Sequence, residues 1–198
     1  MIKISSVINS QTRKMVKQAL STKLSKKNPV AIIKDEVSGK TYIRHNNERT
    51  VYKTNVDVRT NSKGELIFDR TESTDKNKLV VFEEFKRNLF GFGKIKRKSQ
   101  GVVDLKANTA GHVDSKGNVE ISDYYSDGYK NDELKWNIGE KLQQIMAKLF
   151  NSFTKKGENY IEKVGNETRV YSEEQVKDKL RKATNGLLGN DCNFSEIC

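Results

Sequence analysis

Proline is nearly missing from this chain: Pro29 is the only one in 198 residues. No proline-rich linker divides it, and its length fits one domain, or one domain with a small appendage. Histidine is as scarce, with only His45 and His112. Each lies in or beside a predicted turn and reads as a surface residue. Neither belongs to an H-E-x-x-H pair, and no G-x-S-x-G elbow occurs, so these common hydrolase signatures are excluded. Both cysteines, Cys192 and Cys198, sit close together in the tail. Two thiols without a nearby histidine fall short of a four-ligand zinc site. A disulfide between them would close only a small loop, so they read as free thiols. No apolar run reaches the roughly 18 residues of a membrane span. MIKISSVINS lacks the continuous apolar stretch of a signal peptide. Gly91-Phe92-Gly93 lacks the lysine–serine pair of a phosphate loop. The acids Asp114, Asp123, Asp127, Asp132 and Glu133 do not follow calcium-loop spacing. No catalytic group, cofactor, resident metal or membrane contact is therefore expected.

What the chain does have is positive charge, unevenly placed. The formal net charge is +11. Residues 1–28 hold Lys3, Arg13, Lys14, Lys17, Lys23, Lys26 and Lys27 and no acid; residues 86–98 hold Lys86, Arg87, Lys94, Lys96, Arg97 and Lys98 and no acid. These two stretches carry more than the whole net charge, so the rest is slightly acidic. Local basic segments suit a polyanion or an acidic protein surface. Mean hydropathy is −0.77, and 32 % of residues are charged. The core is adequate but thin, which favours association with other subunits.

Periodicity divides the chain into regions. Residues 1–28 form a basic segment whose start could add an edge strand. Asn9 or Ser10 then caps a helix with Met15, Val16, Ala19, Leu20 and Leu24 on one face. Pro29 ends that region. Residues 29–133 read as an antiparallel β domain, with turns at Val37–Lys40, His45–Glu48, Asn61–Gly64 and Asp114–Gly117. A basic aromatic insertion lies near 79–98, where Leu79–Phe90 reads as a strand passing into a short helix. Residues 134–188 read as helix–hairpin–helix, and 189–198 as a tail. The first of those helices has the clearest period in the chain: over Asn137–Phe153, Ile138, Leu142, Ile145, Met146, Leu149, Phe150 and Phe153 share a face. The hairpin turns at Gly165-Asn166. Ser172-Glu173-Glu174-Gln175 is a capping box for the last helix. The fold class is α+β: an antiparallel meander or sandwich-like sheet flanked by a basic N-terminal helix and a C-terminal helix–hairpin–helix.

Two groups of candidate contact residues follow. Phe85–Lys98 interleaves Phe85, Phe90 and Phe92 with cations, as single-strand-binding grooves do. The bland reading sends those phenylalanines into the core. The polyanion or partner-binding set is Arg13, Lys14, Lys17, Lys86, Arg87, Lys94, Lys96, Arg97 and Lys98. Tyr124, Tyr125 and Tyr129 suit a subunit interface, where tyrosine is enriched. Phe150 and Phe153 offer more apolar surface than a thin sheet covers alone and join that interface set.

The Lys/Asn-rich background (Lys26-Lys27-Asn28, Asn46-Asn47, Lys76-Asn77-Lys78), the near absence of proline and the hairpins at Ser62–Gly64 and Ser115–Gly117 resemble small structural proteins of tailed bacteriophages. Portal-vertex, ring and tail components are the nearest in style. The likeness is compositional, runs along the whole chain and lends no site residues. It implies a non-enzymatic subunit, homo-oligomeric and bound to other structural subunits, and located in the virion if phage-encoded and otherwise cytoplasmic. Its basic segments would face DNA, through non-specific phosphate contacts, or acidic neighbours. The other reading is a dedicated nucleic-acid-binding protein using residues 13–27 and 86–98.

Overall fold

The computed structural model describes residues 2–45, 48–62, 66–69, 80–88, 92–104, 109–123, 133–136 and 151–189. Helix α1 (Ser10–Ser21) is followed by β1 (Val30–Lys34), β2 (Thr41–His45), β3 (Thr50–Thr54), β4 (Asp57–Thr60) and β5 (Leu66–Asp69). Then come β6 (Val80–Arg87), β7 (Ile95–Asp104), β8 (Thr109–Asp114), β9 (Val119–Asp123) and β10 (Glu133–Trp136). The order closes with β11 (Asn151–Lys156), β12 (Asn159–Val164), β13 (Glu167–Tyr171) and α2 (Glu173–Ala183). Ten strands form one antiparallel meander, β1-β2-β3-β6-β7-β8-β9-β11-β12-β13. The chain leaves it twice, for β4–β5 and for β10, and the two excursions pair with each other as a second sheet, β10-β5-β4. The class is α+β.

Residues paired across antiparallel strands share a face, and the registers define one row across the whole large sheet. It runs Ile33, Tyr42, Lys53, Glu83, Gln100, Val113, Val119, Phe153, Glu162 and Arg169. Both described helices lie on this face. Met15, Val16 and Ala19 of α1 pack on Tyr42, Val51, Phe85 and Ile95. Val176 and Leu180 of α2 pack on Val81, Val102, Val113, Val119, Phe153 and Tyr160. Among the described residues there are thus two apolar cores on this face, and Lys53, Glu83 and Gln100 stand between them.

The helix ends follow from local chemistry. Asn9 Oδ1 accepts from the Thr12 amide at 2.7 Å and caps α1. The last turn of α1 has no basic residue. Arg44 of β2 supplies one: its Nε donates to Ala19 O at 2.7 Å and its Nη2 to Thr22 O. A cation there satisfies carbonyls that a helix end leaves open. The capping box of α2 forms as its sequence predicts, between Ser172 and Gln175. At its other end the Gly186 amide reaches Arg181 O at 2.8 Å, with Asn185 at φ 53°. That is a Schellman stop, with asparagine rather than glycine in the left-handed position.

Several expectations are corrected. Residues 2–9 add no edge strand; Ile2 is buried in the α2 core and Ile8 in the α1 core, so this segment runs over the sheet between them. Strand β6 continues through Arg87, where a short helix was expected; pairing on both sides, with β3 and β7, overrides the helical spacing of Val81, Phe82 and Phe85. Residues 137–150 lie outside the described residues, but Asn151–Phe153, the end of that expected helix, belongs to β11. Pairing with Val119 and Glu162 fixes Phe153 as a strand residue. The hairpin β12–β13 and β11 extend the large sheet rather than standing apart from it. No described helix is long and apolar enough to cross a membrane.

Candidate functional site

The basic stretch 86–98 divides into an inner and an outer set. Between Glu84 and Phe85 the β6–β7 register shifts. Glu84 pairs with Ser99, but Phe85 pairs with Arg97, so Lys98 is the extra residue of a bulge. A bulge re-aims the residues beyond it. Here it turns Arg97 onto the helix side. The Arg97 guanidinium lies 5.3 Å from the Phe85 ring centroid. Its Nη1 donates to Ser5 O and Val7 O, both at 2.7 Å, which holds the N-terminal segment down. Its Nε stands 2.7 Å from Glu83 Oε1, off the line of its N–H. Gln100 Nε2 donates to the same oxygen at 3.0 Å. Lys53 Nζ is 3.5 Å from Glu83 Oε2 and donates to Thr12 Oγ1 at 3.3 Å. One fully buried carboxylate therefore serves two buried cations. Arg97 is a structural residue and leaves the polyanion set.

The outer set is different. Lys86 and Lys96 are directly opposite one another on β6 and β7, and both are exposed. Like charges directly opposite on neighbouring strands repel. Lys94 is exposed in the following turn, and Phe92 beside it is 95 % exposed. Lys98 and Arg87 are half-buried. Val30 pairs with His45, and Thr50 with Lys86, so the α1–β1 loop and the β2–β3 and β6–β7 turns share one end of the sheet. Lys23, Lys26 and Lys27 are exposed in that loop. Glu84, two residues from Lys86 on the same face, accepts from Ser99 Oγ at 3.0 Å. Lys14 and Lys17 are exposed on α1, and Arg13 is half-buried there. They lie over the helix side, whereas Lys86 and Lys96 point to the other side. The two segments thus meet at their ends but do not form one continuous face.

Of the interface set, Phe153 is 2 % exposed, in edge-to-face contact with Tyr171 at 5.1 Å. Its burial within the chain removes it as an intersubunit residue. Tyr124, Tyr125, Tyr129, Phe150 and the third aromatic Phe90 lie outside the described residues.

His112, whose place beside a turn suggests a surface residue, is 5 % exposed. It faces away from the helices, opposite Glu120 on β9, with Nδ1 3.8 Å from Glu120 Oε2. Burial lowers its pKa to about 4, against a smaller opposing pull from Asp114. Burial, with Asp114, raises that of Glu120. Asp114 itself accepts from the amides of Lys116 and Asn118 in the β8–β9 turn, at 2.8 and 2.9 Å. A histidine depressed in the folded state stays neutral where the unfolded chain takes a proton. Its contribution is present above the unfolded value of 6.5 and is lost as pH falls toward 4. Glu120 works in the opposite sense near its own range. Replacing His112 by Gln should flatten the decline in stability between pH 6.5 and 4, measured by urea unfolding at each pH. An unchanged slope would assign that decline to other groups.

A concavity of about 580 Å³ lies over β11 and β12, lined by Ser152, Thr154, Lys155, Lys156, Ile161 and Lys163. Its described lining holds hydroxyls and ammonium groups and no carboxylate. Among the described residues no group of three or more His, Cys, Asp and Glu side chains is arranged to hold a metal ion. No protein-family model, curated protein or solved structure matches the chain.

Proposed function

We propose that this chain is a non-enzymatic assembly subunit that seats its basic end on a polyanionic partner, as a phage ring, portal-vertex or tail component would on DNA or on acidic neighbouring subunits. One observation carries the reading: Lys86 and Lys96 are held face to face, exposed, beside Lys94. A bound anion relieves their mutual repulsion. Water and salt alone only screen it.

The test is binding to a DNA duplex and to a polyglutamate chain across a salt series. The variant Lys86→Gln/Lys94→Gln/Lys96→Gln should weaken binding to both. On DNA it should lower the slope of log affinity against log salt by about 2–3, since each phosphate contact contributes about 0.9. Unchanged affinity and slope would overturn the proposal. A dedicated single-strand-binding protein is the second reading, favoured by the exposed Phe92. It requires Phe92→Ala to weaken single-stranded DNA by the roughly 1–3 kcal/mol of one stacked base, while leaving duplex and polyglutamate binding alone.

A further inference from the structure

Strand β13 is the last strand of the ten-stranded sheet. Glu167 to Val170 are all exposed, and Val170 is 61 % exposed. Natural sheets protect such edges with charged side chains, proline, a bulge or a covering element. The segment has no proline, its pairing with β12 is regular, and no described element lies beyond it. What it has is a specific pattern of charge and hydrogen-bonding groups.

The hairpin fixes which groups face outward. Val164 pairs with Glu167 across the two-residue turn Gly165-Asn166, with Gly165 at φ 60°. In such a hairpin the closing pair is hydrogen-bonded, and bonded and non-bonded pairs then alternate. Glu167, Arg169 and Tyr171 therefore use their backbone groups on β12. Thr168 and Val170 direct theirs to the open edge. On the helix side, Glu167 and Arg169 are neighbours and form an exposed ion pair at 3.1 Å.

We infer that β13 pairs antiparallel with β13 of a second copy of this chain, on a two-fold axis through Thr168. In that register Thr168 meets its own counterpart as a hydrogen-bonded pair, which is the phase its outward backbone groups require. Asn166 meets Val170 of the second copy. Glu167 meets Arg169 of the second copy, twice, as a non-bonded pair, the kind in which side chains stand closest. An axis through Arg169 keeps the hydrogen-bond phase, pairing Thr168 with Val170 of the second copy, but sets Arg169 against its own counterpart, where like charges repel. The edge is thus complementary to itself, which selects a second copy over an unrelated strand. This rests on the assembly reading above and adds the homotypic contact that reading leaves unspecified. The joined edges extend the sheet across the dimer.

The experiment uses the full chain with Cys192→Ser and Cys198→Ser. Paired Thr168 residues are expected about 5.5 Å apart between Cα atoms, within disulfide range. Thr168→Cys should oxidise to a covalent dimer, while Glu158→Cys, in the β11–β12 turn, should not. Sedimentation should show a concentration-dependent dimer. Thr168→Pro removes an outward amide without breaking the β12 ladder and should give a monomer. Arg169→Glu should weaken the dimer about tenfold or more, and Glu167→Arg/Arg169→Glu should restore it; that rescue separates pairing from misfolding. A monomer at every concentration, or a dimer that Thr168→Cys does not trap and Thr168→Pro does not weaken, would overturn the inference. DNA and polyglutamate binding, measured on the same variants, reports on the basic end independently. Its retention in a monomer would leave the polyanion reading standing while this one fell.

Discussion

Glu83→Ala should lower the free energy of unfolding by about 3–5 kcal/mol, the usual cost of removing one partner from a buried ion pair. The site makes the upper half of that range the expectation. Lys53 and Arg97 are both buried, and both lean on this one carboxylate. Its loss strands two cations at once, and Gln100 loses its acceptor. Against a typical total of about 5–15 kcal/mol the change is severe. Urea unfolding measures it. The informative partner is Lys53→Met/Glu83→Leu/Arg97→Met, which removes the whole charged set. Buried ion groups replaced by apolar ones of like volume are often neutral in stability, so this triple variant should recover most of what Glu83→Ala loses. A cost under about 1 kcal/mol for Glu83→Ala would mean that water reaches the seam and solvates the stranded cations.

Gly111→Ala is expected to cost about 1–3 kcal/mol through overpacking. A methyl group there would run into Thr184 Cγ2 and come within 2.9 Å of Leu180 Cδ1. Glycine in a strand marks a close approach by another element, and here the element is the C-terminal end of α2. Thr184 is held from both sides: its hydroxyl donates to Leu180 O at 2.7 Å and accepts from the Leu188 amide at 2.9 Å. It cannot swing away cheaply. Thr184→Ser keeps that hydroxyl and deletes the offending methyl, so it should rescue Gly111→Ala in part. The double-mutant coupling should be about 0.5–3 kcal/mol and favourable. Strict additivity would show that the helix shifts to make room.

Much of the sheet was legible because its turns announce themselves. Gly117 at φ 81° and Gly165 at φ 60° sit where the turn chemistry put them. Strands between such turns have little freedom of position. The capping box at Ser172 was legible for the same local reason. The failures share a cause: side-chain direction decided by something distant. Arg97 sits in a run of cations that reads as a solvated face, and only the bulge sends it inward. A bulge leaves no mark in hydrophobic spacing. His112 lies between Gly111 and Val113 in a strand covered on both faces, where alternation carries no information. Phe153 fits a helical stripe, but three residues of a stripe cannot outweigh pairing on both sides of a strand. Within the candidate site, the presence of exposed cations was legible. Their division between α1 and the β6–β7 end was not, because it depends on which side of the sheet each element takes.

The crossing of residues 2–9 over the sheet also sets a schedule. Ile2 shares a core with Leu180 and Leu188, near the opposite end of the sequence. On the ribosome, the α1 core can close early, since its members all lie before Lys96. The α2 core cannot close until Leu188 has emerged. Until then Ile2 and the apolar residues Val81, Val102, Val113 and Val119 have no lid. Such exposed strands are where a nascent chain recruits chaperones or aggregates. In the folded chain Arg97 fastens that segment at Ser5 and Val7.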